Sequence, residues 1–201
     1  INTERWMLRF PAREEVRDLA GNVISRVENY YDDETFQGNN LGLISSGKVT
    51  LKKAWHTPTD ANGFVLLNRF KYDAYGNSVT LLSPNAVAPG GIIDYTPGHV
   101  RDVEYDPFLH IFPTREVIHL GGGKPALEQL ADYDLGLGVL WRMIDFAGQR
   151  TLYRHDPLGR FLRYTIPGEV EDFPTEEYAY FLAQPLGDGR TVNYVEHRWV
   201  D

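Results

Sequence analysis

Apolar and polar residues alternate along most of this 201-residue chain, and a period of two predicts β-strands. Trp6, Leu8 and Phe10 alternate with polar partners before Pro11, and Val23, Ser25 and Val27 interleave with Ile24, Arg26 and Glu28. Val49, Leu51 and Trp55 share one parity between Gly47 and Pro58; Phe64, Leu66, Phe70 and Tyr72 follow between Gly63 and Gly76. Arg150 to Ile166 predicts two strands around a turn at Pro157–Gly159, and Thr191 to Val200 alternates again. Each run is short and bounded by Gly, Pro, Asn or Asp, the signature of hairpins. Helical signals are few. Ala12–Leu19 holds helix formers, but Pro11 and Gly21 keep it short and its apolar face is thin. Pro125–Leu130 is compatible with one helical turn started by its proline. Asp32–Gly47, Pro84–Gly98 and Gly121–Pro125 are the most loop-like stretches, and Pro89-Gly90-Gly91 predicts a tight turn inside the second.

A short pattern punctuates these runs: Asp, two residues, Gly, then a polar residue. It stands at Asp18–Asn22 with Gly21, at Tyr72-Asp73 with Gly76, at Asp145 with Gly148 and at His155-Asp156 with Gly159. Looser copies are Asp94 with Gly98 and Tyr133-Asp134 ahead of Gly136 and Gly138; bare pairs occur at Tyr31-Asp32 and Tyr105-Asp106. Asp134, Asp145 and Asp156 stand 11 residues apart, the length of one strand plus one turn, so each unit is half a hairpin or a whole one. The chemistry is conformational. The Asp carboxylate accepts backbone N–H groups about two residues on, and the Gly takes a positive φ that a β-carbon would penalise. A preceding Tyr closes the incoming strand with an amphipathic ring. Tyr72, Asp73, Gly76, Tyr105, Asp106, Tyr133, Asp134, Asp145, Gly148, Asp156 and Gly159, with Asp18 and Gly21, are thus the candidate residues, and their role is structural.

These units resemble the YD-repeat, or Rhs-repeat, family. The likeness rests on Phe70-Lys71-Tyr72-Asp73-Ala74-Tyr75-Gly76-Asn77 and on Arg150 to Phe161, where His155 stands in the usual place of Tyr. Val103–Phe108, Phe112–Arg115, Ile166–Glu169 and Phe173–Glu176 are similar to the Rhs core of the B component of bacterial insecticidal toxin complexes. The resemblance implies an all-β fold of antiparallel hairpin repeats forming a curved or spiralling sheet, a segment of a hollow shell. It implies encapsulation and delivery of a toxic polypeptide by a secreted bacterial protein, without catalysis by the strands. Partners would be other repeats of the parent shell, other toxin-complex subunits and the enclosed cargo, with no nucleic acid and no membrane contact by this segment. A full shell needs far more chain than 201 residues, so the whole chain is expected to be one repeat segment of a larger protein. Ile1 followed by the charged Glu4-Arg5 pair agrees with an internal piece or a processed product. Asp156-Pro157-Leu158-Gly159 has the letters of the family's self-cleaving run but lies inside an ordinary repeat, and is expected to be a turn.

Composition narrows the rest. With 42% hydrophobic and 24% charged residues the chain is not of the disordered class, and no apolar run approaches the length of a membrane-spanning helix. A formal charge of −8 argues against a basic nucleic-acid face, and the absence of cysteine removes disulfides, thiol nucleophiles and Cys-type zinc sites. Gly121-Gly122-Gly123-Lys124 is followed by Pro125 where a phosphate loop needs Ser or Thr. The six histidines show no metal-ligand spacing, though collectively they offer pH sensing; the acidic clusters lack an EF-hand pattern, and no serine sits in a hydrolase elbow. No enzyme, cofactor or metal is expected. The alternative is an extracellular module binding carbohydrate or protein, for which exposed rows of Trp6, Trp55, Trp141 or Trp199 would be the mark.

Overall fold

The structure is a computed structural model that describes residues 7, 9–56, 63–86 and 92–199. Trp6, Leu8, the Pro89-Gly90-Gly91 turn and Val200 lie outside the described residues. The fold is all-β: β1 (Arg13–Arg17), β2 (Val23–Tyr31), β3 (Val49–Trp55), β4 (Phe64–Tyr72), β5 (Ser78–Leu82), β6 (Val100–Tyr105), β7 (Pro113–His119), β8 (Leu127–Asp134), β9 (Val139–Ile144), β10 (Arg150–His155), β11 (Phe161–Thr165), β12 (Glu176–Pro185) and β13 (Thr191–Trp199). One 3-10 turn, Pro84–Ala86, is the sole helical element among the described residues.

The chain packs as two compact units, residues 1–104 with 117–127 and residues 105–116 with 128–201. Within each, strands that follow one another in the chain are neighbours in the sheet and run antiparallel. Such a meander needs only local pairings and short connections.

The first unit buries what core it has under two long loops. Leu82 and Val100 face each other across β5 and β6, and Phe36, Ala86 and the partly buried Ile93 cover them. Beside them Arg69, 6% exposed, sits between Leu51 and Leu82 in register and donates Nη1 to Pro84 O at 3.0 Å. Glu28 is also buried, and is held by the Arg13 guanidinium at 2.8 Å and the Tyr30 hydroxyl at 2.7 Å.

The second unit separates two chemistries onto the two faces of its strands. Tyr153 pairs with Tyr164, Tyr164 with Glu176, and Glu176 with Trp199, one row across β10 to β13. The adjacent row, pointing the other way, runs Arg154, Arg163, Glu177, Arg198. Period-two alternation makes this split unavoidable once the register is set.

Two readings of the sequence change. Ala12–Leu19 forms no helix: residues 13–17 are β1, where Arg13 pairs with Glu28 and Glu15 with Arg26 across the hairpin. Pro125–Leu130 is not a helical turn either; Leu127 opens β8, whose Leu130 and Ala131 pair with Ile144 and Met143 of β9. In both, the cross-strand ladder outweighs a local helical preference worth only tenths of a kcal/mol per residue, or about that.

Candidate functional site

Four of the Asp-x-x-Gly units fold into one shape. At Asp73 the backbone N–H bonds to Asn77 O at 3.0 Å and Gly76 N–H returns to Asp73 O at 3.3 Å. The carboxylate takes the N–H groups of Tyr75 and Asn77, each at 2.9 Å, and the Asn77 side-chain amide at 2.9 Å. Asp145 and Asp156 repeat the arrangement with Ala147 and Gln149, and with Leu158 and Arg160. Asp18 closes the same backbone ring to Asn22 and Gly21. Gly76 has φ +94° and Gly159 φ +76°, the left-handed region where a side chain is strained even though both sites face open space or a single ordinary contact.

The aspartates divide by which strand end they hold. β2, β4, β6 and β10 end on Tyr31, Tyr72, Tyr105 and His155, each followed by Asp, and β8 ends on the pair Tyr133-Asp134 itself. Every even-numbered strand from β2 to β10 therefore leaves through an aromatic-Asp pair. Asp18 and Asp145 follow β1 and β9, after Arg17 and Ile144, at the opposite strand ends. The recurring unit is thus a whole hairpin, and the spacing of 11 residues from Asp134 to Asp145 to Asp156 steps from one end to the other and back. The aromatic residue also marks a register shift: the ladder slips at Tyr30/Tyr31, Lys71/Tyr72, Asp132/Tyr133 and Arg154/His155. Its ring reaches sideways. Tyr72 donates its hydroxyl to Val49 O at 2.9 Å, and Tyr133 stacks on Phe112 with centroids 4.8 Å apart.

Where Gly is missing at the fourth place, the aspartate organises a wider loop. Asp106 N–H closes on Phe112 O at 2.9 Å. Its carboxylate receives Phe108 and Leu109 N–H on one oxygen and Ile111 and Phe112 N–H on the other, at 2.6 to 3.1 Å. Burial favours the neutral acid, and those four N–H groups overcome it and hold the carboxyl far below its ordinary range. Asp32, itself at φ +58°, does the same for a longer loop, gathering Ser45, Ser46, Gly47 and Lys48 N–H and the Ser46 hydroxyl. Against the pull of burial these bonds also depress its pKa strongly. Asp134 accepts Gly136 and Leu137 N–H at 2.9 and 3.0 Å, and Asp94 accepts Thr96 N–H at 2.9 Å.

Several features escape sequence reasoning. Leu186–Arg190 forms the same ring as the Asp turns, with Leu186 N–H on Arg190 O at 2.7 Å and Gly189 at φ +84°, although Leu replaces the leading Asp. Gly98 and Gly121 form a backbone-on-backbone contact: a β-carbon on Gly98 would lie 2.2 Å from Leu120 O, and one on Gly121 2.2 Å from Gly98 N. Of the glycine run that superficially suggests a phosphate loop, Gly121 is needed for this approach, while a β-carbon on Gly122 or Gly123 would meet nothing within 4 Å. Glu176, buried on the aromatic face, accepts the hydroxyls of Tyr164 and Tyr178 at 3.1 and 3.0 Å and lies 3.2 Å from His197 Nε2.

The aromatic rings themselves stack face to face. Tyr178 and His197 lie 4.4 Å apart at 10°, and Phe181 and Tyr194 4.6 Å apart at 13°. Arg26 covers Trp55 at 4.6 Å and Arg142 lies over Trp141 at 5.1 Å, which leaves Trp199 as the exposed tryptophan among the described residues. Ring faces used in this way are withdrawn from stacking on a sugar. A cleft of about 400 Å³ in the first unit is lined by Asp32, Ser46, Lys48, Phe70, Lys71 and Tyr72 among others. Of its two carboxylates, Asp32 and Glu34, the first is held by the loop N–H groups, and the Lys48 amine donates to Asp73 O at 3.0 Å. Among the described residues no three His, Asp or Glu side chains gather as a metal site, and no helix is long and apolar enough to cross a membrane.

No family model matches the chain, and no curated protein matches it. Among solved structures it is similar to a chain of the crystal structure of TcdB2-TccC3-Cdc42, at 14% identity and a TM-score of 0.47, over 84% of this chain. The matched part amounts to 9% of that chain's length, so this chain spans a small fraction of it.

Proposed function

We propose that this chain is a wall segment of a bacterial, secreted toxin-complex or Rhs-type protein, and that it helps to enclose and deliver a toxic polypeptide. The observation that carries the reading is the aromatic-Asp pair at the end of every even-numbered strand from β2 to β10. The sequence element that resembles the YD repeat coincides with the structural element, one hairpin. A wall grown in this way extends strand by strand through backbone ladders rather than around a thick core. Its residues act by shaping the wall, and no group among them is assigned a catalytic role. Neighbouring repeats, other toxin-complex subunits and the cargo are its partners in this reading. A two-faced wall suits containment, because one side can meet cargo while the other meets water, and the second unit carries such a pair of faces.

The test uses the longer polypeptide of which the segment is a part. Purified from its own reading frame and treated with protease, it should retain a protected downstream polypeptide that becomes digestible once the wall is unfolded. A downstream polypeptide cut as fast as the same piece expressed alone contradicts the proposal.

A further inference from the structure

Each aromatic-Asp exit in the second unit carries large apolar side chains at its tip. Phe108, Leu109 and Ile111 follow Asp106, Leu137 follows Asp134 and Leu158 follows Asp156; all are exposed, Phe108 to 78% and Leu158 to 75%. Turn tips that face water are ordinarily Gly, Asn, Asp or Ser. A single exposed apolar residue needs no explanation, but these recur at one place, hairpin by hairpin. In the first unit Tyr75, two past Asp73, is exposed as well. The opposite strand ends of the second unit add Phe146, between β9 and β10, and Phe173, between β11 and β12. All these tips lie at the ends of strands, so a strand added beside the sheet would leave them bare.

The aspartates hold the tip residues themselves. Phe108, Leu109 and Ile111 donate their N–H groups to the Asp106 carboxylate, Leu137 to that of Asp134 and Leu158 to that of Asp156. The carboxylates are thereby turned toward the backbone, and the Arg160 guanidinium is engaged by Asp156 at 2.6 Å. What remains at the tips is apolar carbon on an ordered backbone, which loses little freedom on being covered. The pitch of the row selects what covers it. Successive aromatic-Asp exits are two strands apart, about 10 Å at the usual strand spacing. A partner that covers such a row along its length has apolar groups at the same pitch, and a second row of hairpin exits has them. We infer that the apolar tips of the second unit pack rim to rim against hairpin exits of another stretch of the longer polypeptide. On the reading of the chain as a wall segment, on which this rests, one band of the wall meets the next at these tips, and the aspartates keep the seam in shape. Apolar burial supplies the attraction and the shared spacing supplies the selectivity.

Photo-crosslinking in the longer polypeptide tests the seam. With p-benzoylphenylalanine placed at Phe108 or, separately, at Leu158, irradiation should join the tip to a hairpin connection elsewhere in the same polypeptide and leave the mass of the denatured chain unchanged. Phe108→Asp and Leu158→Asp put a charge into the seam, and each should speed protease cutting of the longer polypeptide at least about fivefold. The 201-residue chain, in which both tips face water, should keep its melting temperature with either change. No crosslink, a crosslink to a second copy or to another protein, or equal destabilisation of the segment and of the longer polypeptide overturns the inference. Seam crosslinks beside an unprotected downstream polypeptide would contradict the cargo reading alone, and a protected one without seam crosslinks would contradict the seam alone.

Discussion

The turn after β10 and the loop after β6 begin with nearly the same letters and fold differently. His155-Asp156-Pro157-Leu158-Gly159 closes on Arg160, four residues past the Asp; Tyr105-Asp106-Pro107-Phe108-Leu109 runs on to Phe112, six past it. In both an aromatic residue ends the strand, proline follows the Asp, and the carboxylate collects N–H groups. The difference is the residue three places on. Gly159 adopts φ +76° and turns the chain at once. Leu109 resists that region, and the loop postpones the reversal to His110, at φ +58°. The longer path leaves two more backbone N–H groups pointing inward, so Asp106 holds four of them where Asp156 holds two, beside the Arg160 guanidinium. The aspartate thus marks the place of the exit, and the glycine decides its width.

Removing the carboxylates breaks the comparison most directly. Asp106→Ala strands four backbone N–H groups, and Asp156→Ala two together with a part-exposed Arg160 guanidinium that water can satisfy, so thermal melts should show a larger fall for the first than for the second. Equal falls would mean that the Asp106 bonds are not what orders its loop. Asp32→Ala, which strands four N–H groups and a hydroxyl, is expected to cost about 2 kcal/mol or more by chemical denaturation.

Glycine exchange gives the next effect. Gly159→Val and Gly76→Val should each destabilise by about 1 kcal/mol or more, from backbone strain alone, because neither site is crowded. Leu109→Gly, in a loop that does not use that position for its reversal, should stay within about 1 kcal/mol of the parent. Neutral valines at both turns would remove the role given to positive φ.

The smallest effect is the pH dependence. Asp32, Asp73, Asp106 and Asp156 all have carboxyl pKa values lowered by the N–H groups and side chains that bond them, against the opposing effect of burial. A depressed folded pKa stabilises the protein above the unfolded carboxyl range, near pH 4, and that stability is lost as pH falls through the folded values. The melting temperature should therefore change little on this account between about pH 7 and 5 and drop below about pH 4, less so for Asp106→Asn.

Much of the fold can be read from the sequence, for a physical reason. Alternation at Val49–Trp55 and Phe64–Tyr72, bounded by glycine, leaves a strand as the one arrangement that buries one side. What could not be read depends on partners distant in the chain. The acceptors of Asp32 are filled from residues 45 to 48, and no local pattern announces that. The turn at Leu186 shows that the ring closes through backbone and Gly189 even when the leading Asp is gone. Asp18 and Asp145 share their letters with Asp73 and Asp156, which hides that the two sets lie at opposite strand ends; the aromatic residue before the Asp is the signal that separates them. The aromatic and ion-paired faces of β10 to β13 were equally hidden, because the slips at Arg154/His155 and Phe181/Gln184 interrupt simple parity counting.

Amide hydrogen exchange, resolved residue by residue, addresses the aromatic-Asp exits most directly. The N–H groups of Phe108, Leu109, Ile111 and Phe112 should exchange as slowly as the ladder of β10 and β11, and should become fast in Asp106→Ala while those ladders stay protected. Fast exchange at those four positions in the unmodified chain would contradict the picture of a carboxylate that shapes each exit.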